Sequence, residues 1–371
     1  FSHSIGYVGN LDEEKLQEIL SSQNLESNET IFTYSNGFLN GKTGIEYIYD
    51  EKLRGLFGKK IYEVDASGRL LQEKQMIPAV AGEDIFTSLD LPSQKVAYDE
   101  LNNRRGAVVA VDINDGSIVT YVSSPSFSVN KIANGLTQNE FDELINDDDK
   151  PFFDRAAQGR YSPASTIKPA IGLFGIDKDI LDWEYTIQDP GFFILPEDGR
   201  IYRGWKKGGH GEINLKDAII ESSNTFFFSL AYQTEIEELR AHLSNFGFGK
   251  NVCDDCFMPD NGLLPSPRWK MNTHNFGWFK GDTVNVGVGQ GYINATPIQL
   301  AYYSAFLATK GNINKFSFVQ DSKNANKNIF NSKNITNIDW ENIHESMIGV
   351  IELSLIHISE PTRQEAISYA V

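Results

Sequence analysis

The sequence predicts a mixed α/β chain in which a β-hairpin opens a long, mainly helical region. The hairpin is indicated by two valine- and isoleucine-rich runs between Arg105 and Ser123, which flank the turn Asn114-Asp115-Gly116. The helices are indicated by apolar residues that recur on one helical face. They are predicted over residues 138–146, 166–174, 215–221, 225–232, 236–246 and 297–308.

The residues before this hairpin are richer in turns. Two strands are predicted over 61–72, around a turn at Gly68, and a helix over 92–101 follows a segment punctuated by Pro and Gly. At ~100–200 residues per domain, a chain of 371 residues suggests two or three domains. We therefore expect separate units over 1–104 and 105–352.

Composition excludes several classes of protein. The 33 Lys and Arg residues against 50 Asp and Glu give a net charge of −17, which argues against nucleic acid as a partner because phosphate contacts need clustered cations. Two Cys residues are too few for a disulfide scaffold, and the sequence has no run of ~18 apolar residues that could span a membrane. Because the chain begins at Phe1, we expect a fragment or a processed product.

Ser165 and Lys168 form an S-x-x-K pattern. Residues i and i+3 of a helix share a face, so the hydroxyl and the amine can meet. A serine nucleophile needs a base, and a partly desolvated lysine with a lowered pKa can serve as one. Roughly one or two such matches are expected by chance in a chain of this length, and a second match occurs at Ser128–Lys131. Either match alone is typical of a solvated helix or loop.

The context of Ser165 is more specific. Its segment, GRYSPASTIKP, is followed along the chain by ESSNTFFF, in which Ser222 and Asn224 form an S-x-N pattern, and then by GDTVNVGVGQGY. The strings, their order and their spacing resemble the class B penicillin-binding proteins, most closely the elongation branch known as penicillin-binding protein 2. The resemblance covers residues 3 to about 351. Ser128–Lys131 lies in a string similar to the loop before the family's active site, so we interpret it as structural.

The resemblance implies a role for each motif residue. Ser165 is the expected acylated nucleophile, and Lys168 is the base that deprotonates it. Ser222 is expected to relay a proton toward the leaving amine, and Asn224 to hydrogen-bond the acyl-donor peptide. The implied enzyme is a serine-type D-Ala-D-Ala transpeptidase: the terminal D-Ala of one peptidoglycan stem peptide leaves, and an amine of a neighbouring stem then attacks. Without the resemblance, the Ser222–Asn224 pattern is typical of a helix N-cap.

Fold, partners and location are implied in the same way. The expected fold is the penicillin-binding transpeptidase fold, an antiparallel sheet flanked by helices with a helical subdomain, preceded by a mixed α+β pedestal or dimerisation domain within 1–104. The expected partners are stem peptides ending in D-Ala-D-Ala, beta-lactams, a RodA-type glycan polymerase and other membrane proteins of the elongation complex. No cofactor is implied. The expected location is the periplasmic side of the bacterial inner membrane, with a transmembrane anchor preceding this chain.

The family's third motif, K-[ST]-G on a strand of the active site, does not occur where the resemblance places it. A literal match at 42–44 precedes the nucleophile, and we interpret it as a coincidence in a Gly-rich turn. The expected position follows a helix that we predict to begin at Met347, but residues 353–371 resemble no part of the family. We therefore interpret 353–371 as a non-native tail and expect an incomplete sheet and an inactive, truncated chain.

Some relatives hold a structural zinc ion near the active site through two Asp residues, a His and a Cys. The matching residues here are Asp189, Gly204, His210 and Ser223. Only two of them are metal-ligand types, whereas a structural zinc takes four protein ligands. We therefore predict no metal at this position and interpret His210 as a hydrogen-bonded turn residue.

Cys253 and Cys256 form a C-x-x-C pattern, but a second C-x-x-C and a thioredoxin-like βαβ pattern are absent from the sequence. The resemblance implies an extended segment here, in which residues three apart lie ~10 Å from each other, too far for a disulfide. We therefore favour Cys256 as a small buried apolar residue. A local disulfide in an oxidising periplasm is the alternative.

Three other functions are alternatives to the elongation transpeptidase. A division-specific class B transpeptidase is disfavoured by the strings ESSNTFFF and GDTVNVGVGQGY. A serine beta-lactamase or beta-lactam sensor is disfavoured by the long region before Ser165. A catalytically dead scaffold of the elongation complex stays open, because one motif is missing.

Overall fold

The computed structural model describes residues 1–11, 14, 39–319, 328–330, 332 and 334–353. The chain is built from helices and antiparallel strand pairs, and in the part described every sheet has two strands. Among the same residues, no helix combines the length and the apolar character needed to cross a membrane. Of the predicted tail over 353–371, only Leu353, the last residue of a helix, falls within the described residues.

Short elements make up the N-terminal region. Among its described residues, the helices are Ser2–Ile5, Gly44–Ile48 and Asp50–Arg54, and the strands are Val8–Asn10, Leu39–Gly41, Lys59–Val64 and Leu70–Ile77. The predicted strand pair around Gly68 is confirmed, because Lys59–Val64 and Leu70–Ile77 pair in antiparallel fashion. Every side chain of Leu70–Ile77 is exposed, so this strand has no face in the core.

The predicted opening hairpin is confirmed as the antiparallel strands Gly106–Val111 and Ile118–Ser124. Nearly all of Ile118–Ser124 is buried, and the helix Leu91–Leu101 packs against it. Gln94 of that helix fixes the contact, since its Nε2 donates to the Tyr121 carbonyl at 2.5 Å and its Oε1 accepts the Tyr121 N–H at 2.7 Å. The helix predicted from residue 92 therefore links the N-terminal region to the hairpin.

The six predicted helices after the hairpin are all present. They are observed as Gln138–Asn146, Lys168–Asp177, Leu215–Ile220, Asn224–Tyr232, Ile236–Asn245 and Pro297–Ala308. Further elements, which the sequence did not predict, are the helices Val129–Ala133, Pro267–His274 and Lys280–Val286 and the strand pairs Thr186–Asp189 with Gly211–Asn214, Phe192–Ile194 with Ile201–Arg203, and Asn312–Ile313 with Asn328–Ile329.

The helix Lys168–Asp177, hereafter the core helix, is buried from Lys168 to Ile176. A helix that is apolar all round belongs to the interior of a domain. Among the described residues, four helices pack around it: Leu215–Ile220, Asn224–Tyr232, Ile236–Asn245 and Asn337–Leu353. Lys168 is the one charged residue within this buried stretch, which makes its environment unusual.

The last described helix, Asn337–Leu353, begins well before Met347, so the predicted start was wrong. The helix is capped at its start, where Asp339 Oδ2 accepts from both the N–H and the hydroxyl of Thr336 at 2.7 Å. Asp339 Oδ1 also accepts from Trp183 Nε1 at 2.8 Å. This Thr-x-x-Asp pattern is typical of a helix start.

The favoured interpretation of Cys256 as a free apolar residue was wrong, and the alternative is observed. Cys253 and Cys256 form a disulfide, with their Cα atoms 5.6 Å apart, because the segment turns instead of running extended. The turn is fixed where Asn251 Oδ1 accepts the Cys253 N–H at 2.9 Å. Both cysteines are buried, as predicted for Cys256.

Asp255, inside this turn, joins the N-terminal region to the helical region. Its carboxylate accepts from the N–H groups of Phe318 at 2.8 Å and Val319 at 2.9 Å, and from the Tyr49 hydroxyl at 3.1 Å. Burial raises the pKa of Asp255, although these hydrogen bonds act in the opposite direction. Removing this carboxylate leaves buried donors without an acceptor.

We expect Asp255→Ala to destabilise the protein by about 3 kcal/mol or more, because each buried N–H left without a partner costs about 1–3 kcal/mol. Chemical denaturation of the full-length protein measures the change. The matched control is Asp254→Ala, since Asp254 is half exposed and pairs with Lys315 at the surface. Equal stability of the two variants would show that Asp255 does not stabilise the contact between the two regions.

Candidate active site

Ser165 lies at the surface, in a single 3-10 turn, Ala164–Ile167, that leads into the core helix. Its carbonyl accepts the N–H of Lys168, which closes the turn. Ala164 has a φ of +48°, in the left-handed region that non-glycine residues rarely adopt. The backbone is therefore bent sharply just before an exposed hydroxyl, which is open to a substrate.

Gly289 holds the other side of this bend. Its carbonyl accepts from the Ala164 N–H at 2.9 Å and from the Ser162 hydroxyl at 2.5 Å. Gly289 has a φ of +68°, and an added Cβ would lie 2.2 Å from the Ala164 carbonyl oxygen. Only glycine fits this close approach, so the Gly-rich string after the S-x-N motif fixes the turn that carries Ser165.

The Lys168 side chain is 1% exposed, and its ammonium lies beside the S-x-N motif. Nζ donates to the Ser222 carbonyl at 2.7 Å, the Ser222 hydroxyl at 3.0 Å and Asn224 Oδ1 at 2.8 Å. It also lies 5.5 Å from the ring centroid of Phe227. Burial lowers the pKa of Lys168 from 10.5 to about 7. An amine with this pKa can take up or release a proton near neutrality.

The Ser222–Asn224 segment is shaped to meet Lys168. Ser222 has a φ of +53°, which turns both its carbonyl and its hydroxyl onto the amine. Ser223 caps the helix Asn224–Tyr232 by accepting the Phe226 N–H at 3.2 Å. The N-cap interpretation thus holds for Ser223, while Ser222 and Asn224 on either side face the lysine.

The structure brings together three of the four predicted site residues. Lys168, Ser222 and Asn224 are in direct contact, and Ser165 lies one turn away on the same chain segment. Among the described residues, Ser165 Oγ has no hydrogen-bond partner. Attack by this hydroxyl on a bound carbonyl, with Lys168 as proton acceptor, is the chemistry that the arrangement can support.

The transpeptidase-domain model of the penicillin-binding proteins matches residues 106–351, and the model of their dimerisation domain matches residues 1–87. The chain belongs to the class B penicillin-binding proteins. Within that class, its similarity is to penicillin-binding protein 2, as the strings around Ser165 and Ser222 predict. The predicted unit boundaries at 104 and 352 stay predictions.

Named relatives include the peptidoglycan D,D-transpeptidases MrdA of Acinetobacter baumannii, 38% identical over 359 residues, and of Escherichia coli K12, 32% identical over 350 residues. These alignments cover 95% and 94% of this chain but 52% and 53% of the two relatives. The chain therefore spans about half the length of the curated relatives it matches.

Solved structures of penicillin-binding protein 2 share the fold. The Pseudomonas aeruginosa protein in complex with WCK 5153 superposes with a TM-score of 0.80 at 33% identity, over 94% of this chain and 71% of that one. The Helicobacter pylori protein in complex with MreC gives 0.77 at 29% identity, over 94% and 62%. The predicted penicillin-binding transpeptidase fold is confirmed.

Two other sequence matches lie outside the site. Ser128 caps the helix Val129–Ala133 by accepting the Lys131 N–H at 3.4 Å, so this S-x-x-K is structural, as predicted. The K-T-G string at 42–44 lies in the N-terminal region, where Thr43 precedes the helix Gly44–Ile48. It contributes no strand, which agrees with its interpretation as a coincidence.

The residues that match the zinc ligands of some class B relatives are clustered, but they form a hydrogen-bonded group. Asp189 Oδ2 accepts from His210 Nδ1 at 2.6 Å and from the Ser223 hydroxyl at 2.8 Å. Burial would raise the pKa of Asp189, but the hydrogen bonds from His210, Gly191 and Ser223 outweigh it and lower that pKa. With one carboxylate and one imidazole, and Gly204 offering no side chain, the cluster does not fit a four-ligand zinc. His210 is hydrogen-bonded, as predicted.

Sequence reasoning missed two contacts of the site. Gly289 lies in the string GDTVNVGVGQGY, and a Gly-rich run near a motif is a sign of close backbone approach that could have indicated it. Phe227 follows the S-x-N motif in a run of three phenylalanines, and nothing in that run shows which ring faces Lys168.

We expect Gly289→Ala to destabilise the protein by about 2–4 kcal/mol, because a left-handed φ and an overpacked contact each cost about 1–3 kcal/mol. Chemical denaturation of the full-length protein tests this. Gly277→Ala is the control, since a Cβ there meets nothing within 4 Å. A loss for Gly289→Ala no larger than for the control would show that the turn tolerates a side chain.

The lowered pKa of Lys168 predicts a pH-dependent stability. Between about 7 and 10.5 the unfolded chain binds a proton at Lys168 that the folded chain does not, so stability rises with pH in this window and is lost as pH falls toward 7. The free energy of unfolding of the wild type minus that of Lys168→Met should therefore rise by about 1.4 kcal/mol per pH unit there. Denaturation of both proteins at about pH 7.5, 8.5 and 9.5, which all lie within this window, gives the slope. A flat difference would mean that Lys168 stays charged in the fold.

Proposed function

We propose that this chain carries the acyl-transfer centre of an elongation-specific peptidoglycan D,D-transpeptidase. The observation that carries the proposal is the buried Lys168 amine, with a pKa of about 7, in contact with Ser222 and Asn224 and one turn from Ser165. The membership in the penicillin-binding protein 2 group and the name of the A. baumannii and E. coli relatives support the same activity.

In the first step, Ser165 Oγ attacks the carbonyl carbon of the penultimate D-Ala of a donor stem peptide. The hydroxyl proton passes to neutral Lys168, and a tetrahedral intermediate forms. Collapse of this intermediate breaks the peptide bond, and the amine of the terminal D-Ala leaves with a proton. The product is an ester between Ser165 and the shortened stem.

In this proposal, Ser222 passes on the proton. Its hydroxyl lies 3.0 Å from Lys168 Nζ, so it can accept from the ammonium and donate its own proton to the departing amine. In the second step an amine of a neighbouring stem attacks the ester. The new peptide bond forms, the Ser165–acyl bond breaks, and Ser165 Oγ recovers a proton through the same residues.

Asn224 has two tasks in this scheme. Its Oδ1 accepts from Lys168 at 2.8 Å, which fixes the amide orientation. With Oδ1 facing the lysine, Nδ2 is the group that can donate to a backbone carbonyl of the bound stem. Beta-lactams enter the same centre, because their reactive amide mimics the D-Ala-D-Ala end and leaves the serine acylated.

The remaining parts of the proposal follow the family. Residues 1–104 serve as pedestal or dimerisation domain, and residues 105–352 belong to the transpeptidase domain. In the family, a K-[ST]-G strand completes the site, and this motif is not found at the expected place in the sequence. The protein works on the periplasmic side of the inner membrane. Its partners are a RodA-type polymerase and other membrane proteins of the elongation complex. The H. pylori relative bound to MreC supports an assembly of this kind.

A fluorescent penicillin should label the full-length protein covalently at Ser165. We expect Ser165→Ala to abolish labelling and Ser128→Ala, the matched S-x-x-K control, to leave it intact. Lys168→Arg keeps the charge but cannot release the proton, so acylation should fall by about 10²–10⁴-fold. Gel fluorescence and intact mass measure all three. Labelling that persists in Ser165→Ala would refute the assignment of the nucleophile.

A further inference from the structure

Both backbone polar groups of Ala170 are held by side chains from two other helices. Its N–H donates to the Tyr303 hydroxyl at 3.3 Å, and its carbonyl accepts from His242 Nε2 at 3.0 Å. Ala170 is fully buried, and Tyr303 and His242 are 3% and 5% exposed. Ala170 lies two residues beyond Lys168, in the first turn of the core helix.

The first turn of a helix needs such partners. Its leading N–H groups have no acceptor within the helix, and in the core of a protein they require one from elsewhere. The Lys168 N–H uses the Ser165 carbonyl, and Pro169 has no N–H. Tyr303 takes the next N–H, that of Ala170. The carbonyl of Ala170 has two lone pairs, so it can accept from His242 in addition to any helical bond.

His242 is a fixed donor. A carbonyl oxygen can only accept, so Nε2 must carry the proton. Burial lowers the pKa of His242 to about 4, which keeps the ring neutral at ordinary pH. The ring packs against Phe174 and Phe246, with centroids 5.3 and 4.9 Å away. It therefore has little freedom to turn away from Ala170.

Tyr303 is equally well placed. It lies on the helix Pro297–Ala308, whose start is fixed by Gln299. The Gln299 amide donates to the carbonyls of Gly247, Lys250 and Asn261 at 3.2, 2.9 and 2.8 Å. These buried hydrogen bonds hold the helix against the surrounding loops. The Tyr303 hydroxyl therefore has a fixed position relative to the core helix.

We propose that Tyr303 and His242 are positioning residues, which set the depth and rotation of the core helix and thereby the place of Lys168 against Ser222 and Asn224. The proposal rests on the proposed function. The three bonds of Lys168 Nζ span only 2.7–3.0 Å, so a small shift of the helix breaks some of them. A misplacement of ~1 Å can cost about 10²-fold in rate.

The test compares variants of the full-length protein in acylation by a chromogenic beta-lactam, separating the maximal rate constant from the half-saturating concentration. Tyr303→Phe removes only the hydroxyl, and His242→Leu removes the donor. We expect each to lower the maximal rate constant by about 10–100-fold, with little change in half-saturation. His242→Gln, whose amide can still donate to Ala170, should recover most of the rate. Tyr232→Phe, which loses a surface hydroxyl bonded to Glu197, is the control.

The second measurement does not depend on catalysis. The pKa of Lys168, followed by NMR of its labelled Nζ, should rise in Tyr303→Phe and His242→Leu, because a displaced amine is better solvated. It should stay unchanged in Tyr232→Phe and close to the wild type in His242→Gln. Lowered stability alone, with the Lys168 pKa unchanged and the maximal rate constant within about twofold of the wild type, overturns the proposal.

The two readouts separate this inference from the proposed function. A wild-type protein that is not acylated at Ser165 refutes the proposed function, and the NMR titration then decides the positioning role alone. A wild type that is acylated, with unaltered acylation and Lys168 pKa in both variants, refutes the positioning role and leaves the function standing.

Discussion

The burial of the Lys168 amine is the constraint on which the rest of the site depends. A pKa of about 7 in place of 10.5 means that the fold disfavours the charged form by about 5 kcal/mol, at 1.36 kcal/mol per pKa unit. Such a cost is a large part of the stability of an ordinary domain. The three acceptors from Ser222 and Asn224 stabilise the ammonium and so oppose the shift, whereas the burial of the amine causes it.

Two bends in the backbone position Ser165 and the acceptors of Lys168. Ala164 and Ser222 both have left-handed φ values, +48° and +53°, although neither is glycine. Strain of this kind costs about 1–3 kcal/mol per residue and persists only where the surroundings enforce it. Gly289 enforces the first bend through two hydrogen bonds, and Lys168 itself stabilises the second by bonding both oxygens of Ser222. One strained residue thus precedes Lys168 by four positions in the chain, and the other contacts its amine.

The sequence predicted the parts of this arrangement that are local. The hairpin, the six helices and the two motifs depend on spacing along the chain, and all were found. What it could not predict depends on contacts between distant segments: Gly289 against Ala164, or Tyr303 and His242 on Ala170. The C-x-x-C turn was missed for the same reason, since Asp255 is drawn inward by N–H groups of residues 318 and 319. The start of the helix at Asn337 is a different case. Its cap, formed by Thr336 and Asp339, is a local pattern that the sequence alone could have predicted.

The three bonds of Lys168 bear on the order of events in the proposed reaction. An ammonium has three N–H groups, which match the three acceptors, whereas a neutral amine has two and a lone pair. The Ser222 carbonyl and Asn224 Oδ1 can only accept from it, so they retain the two N–H groups of the neutral form. Ser222 Oγ is the partner that can reverse, donating to the lone pair or turning away from it. In the proposed reaction, the orientation of the Ser222 hydroxyl therefore decides whether the lone pair is free to take the proton of Ser165, in addition to the proposed relay of that proton to the leaving amine.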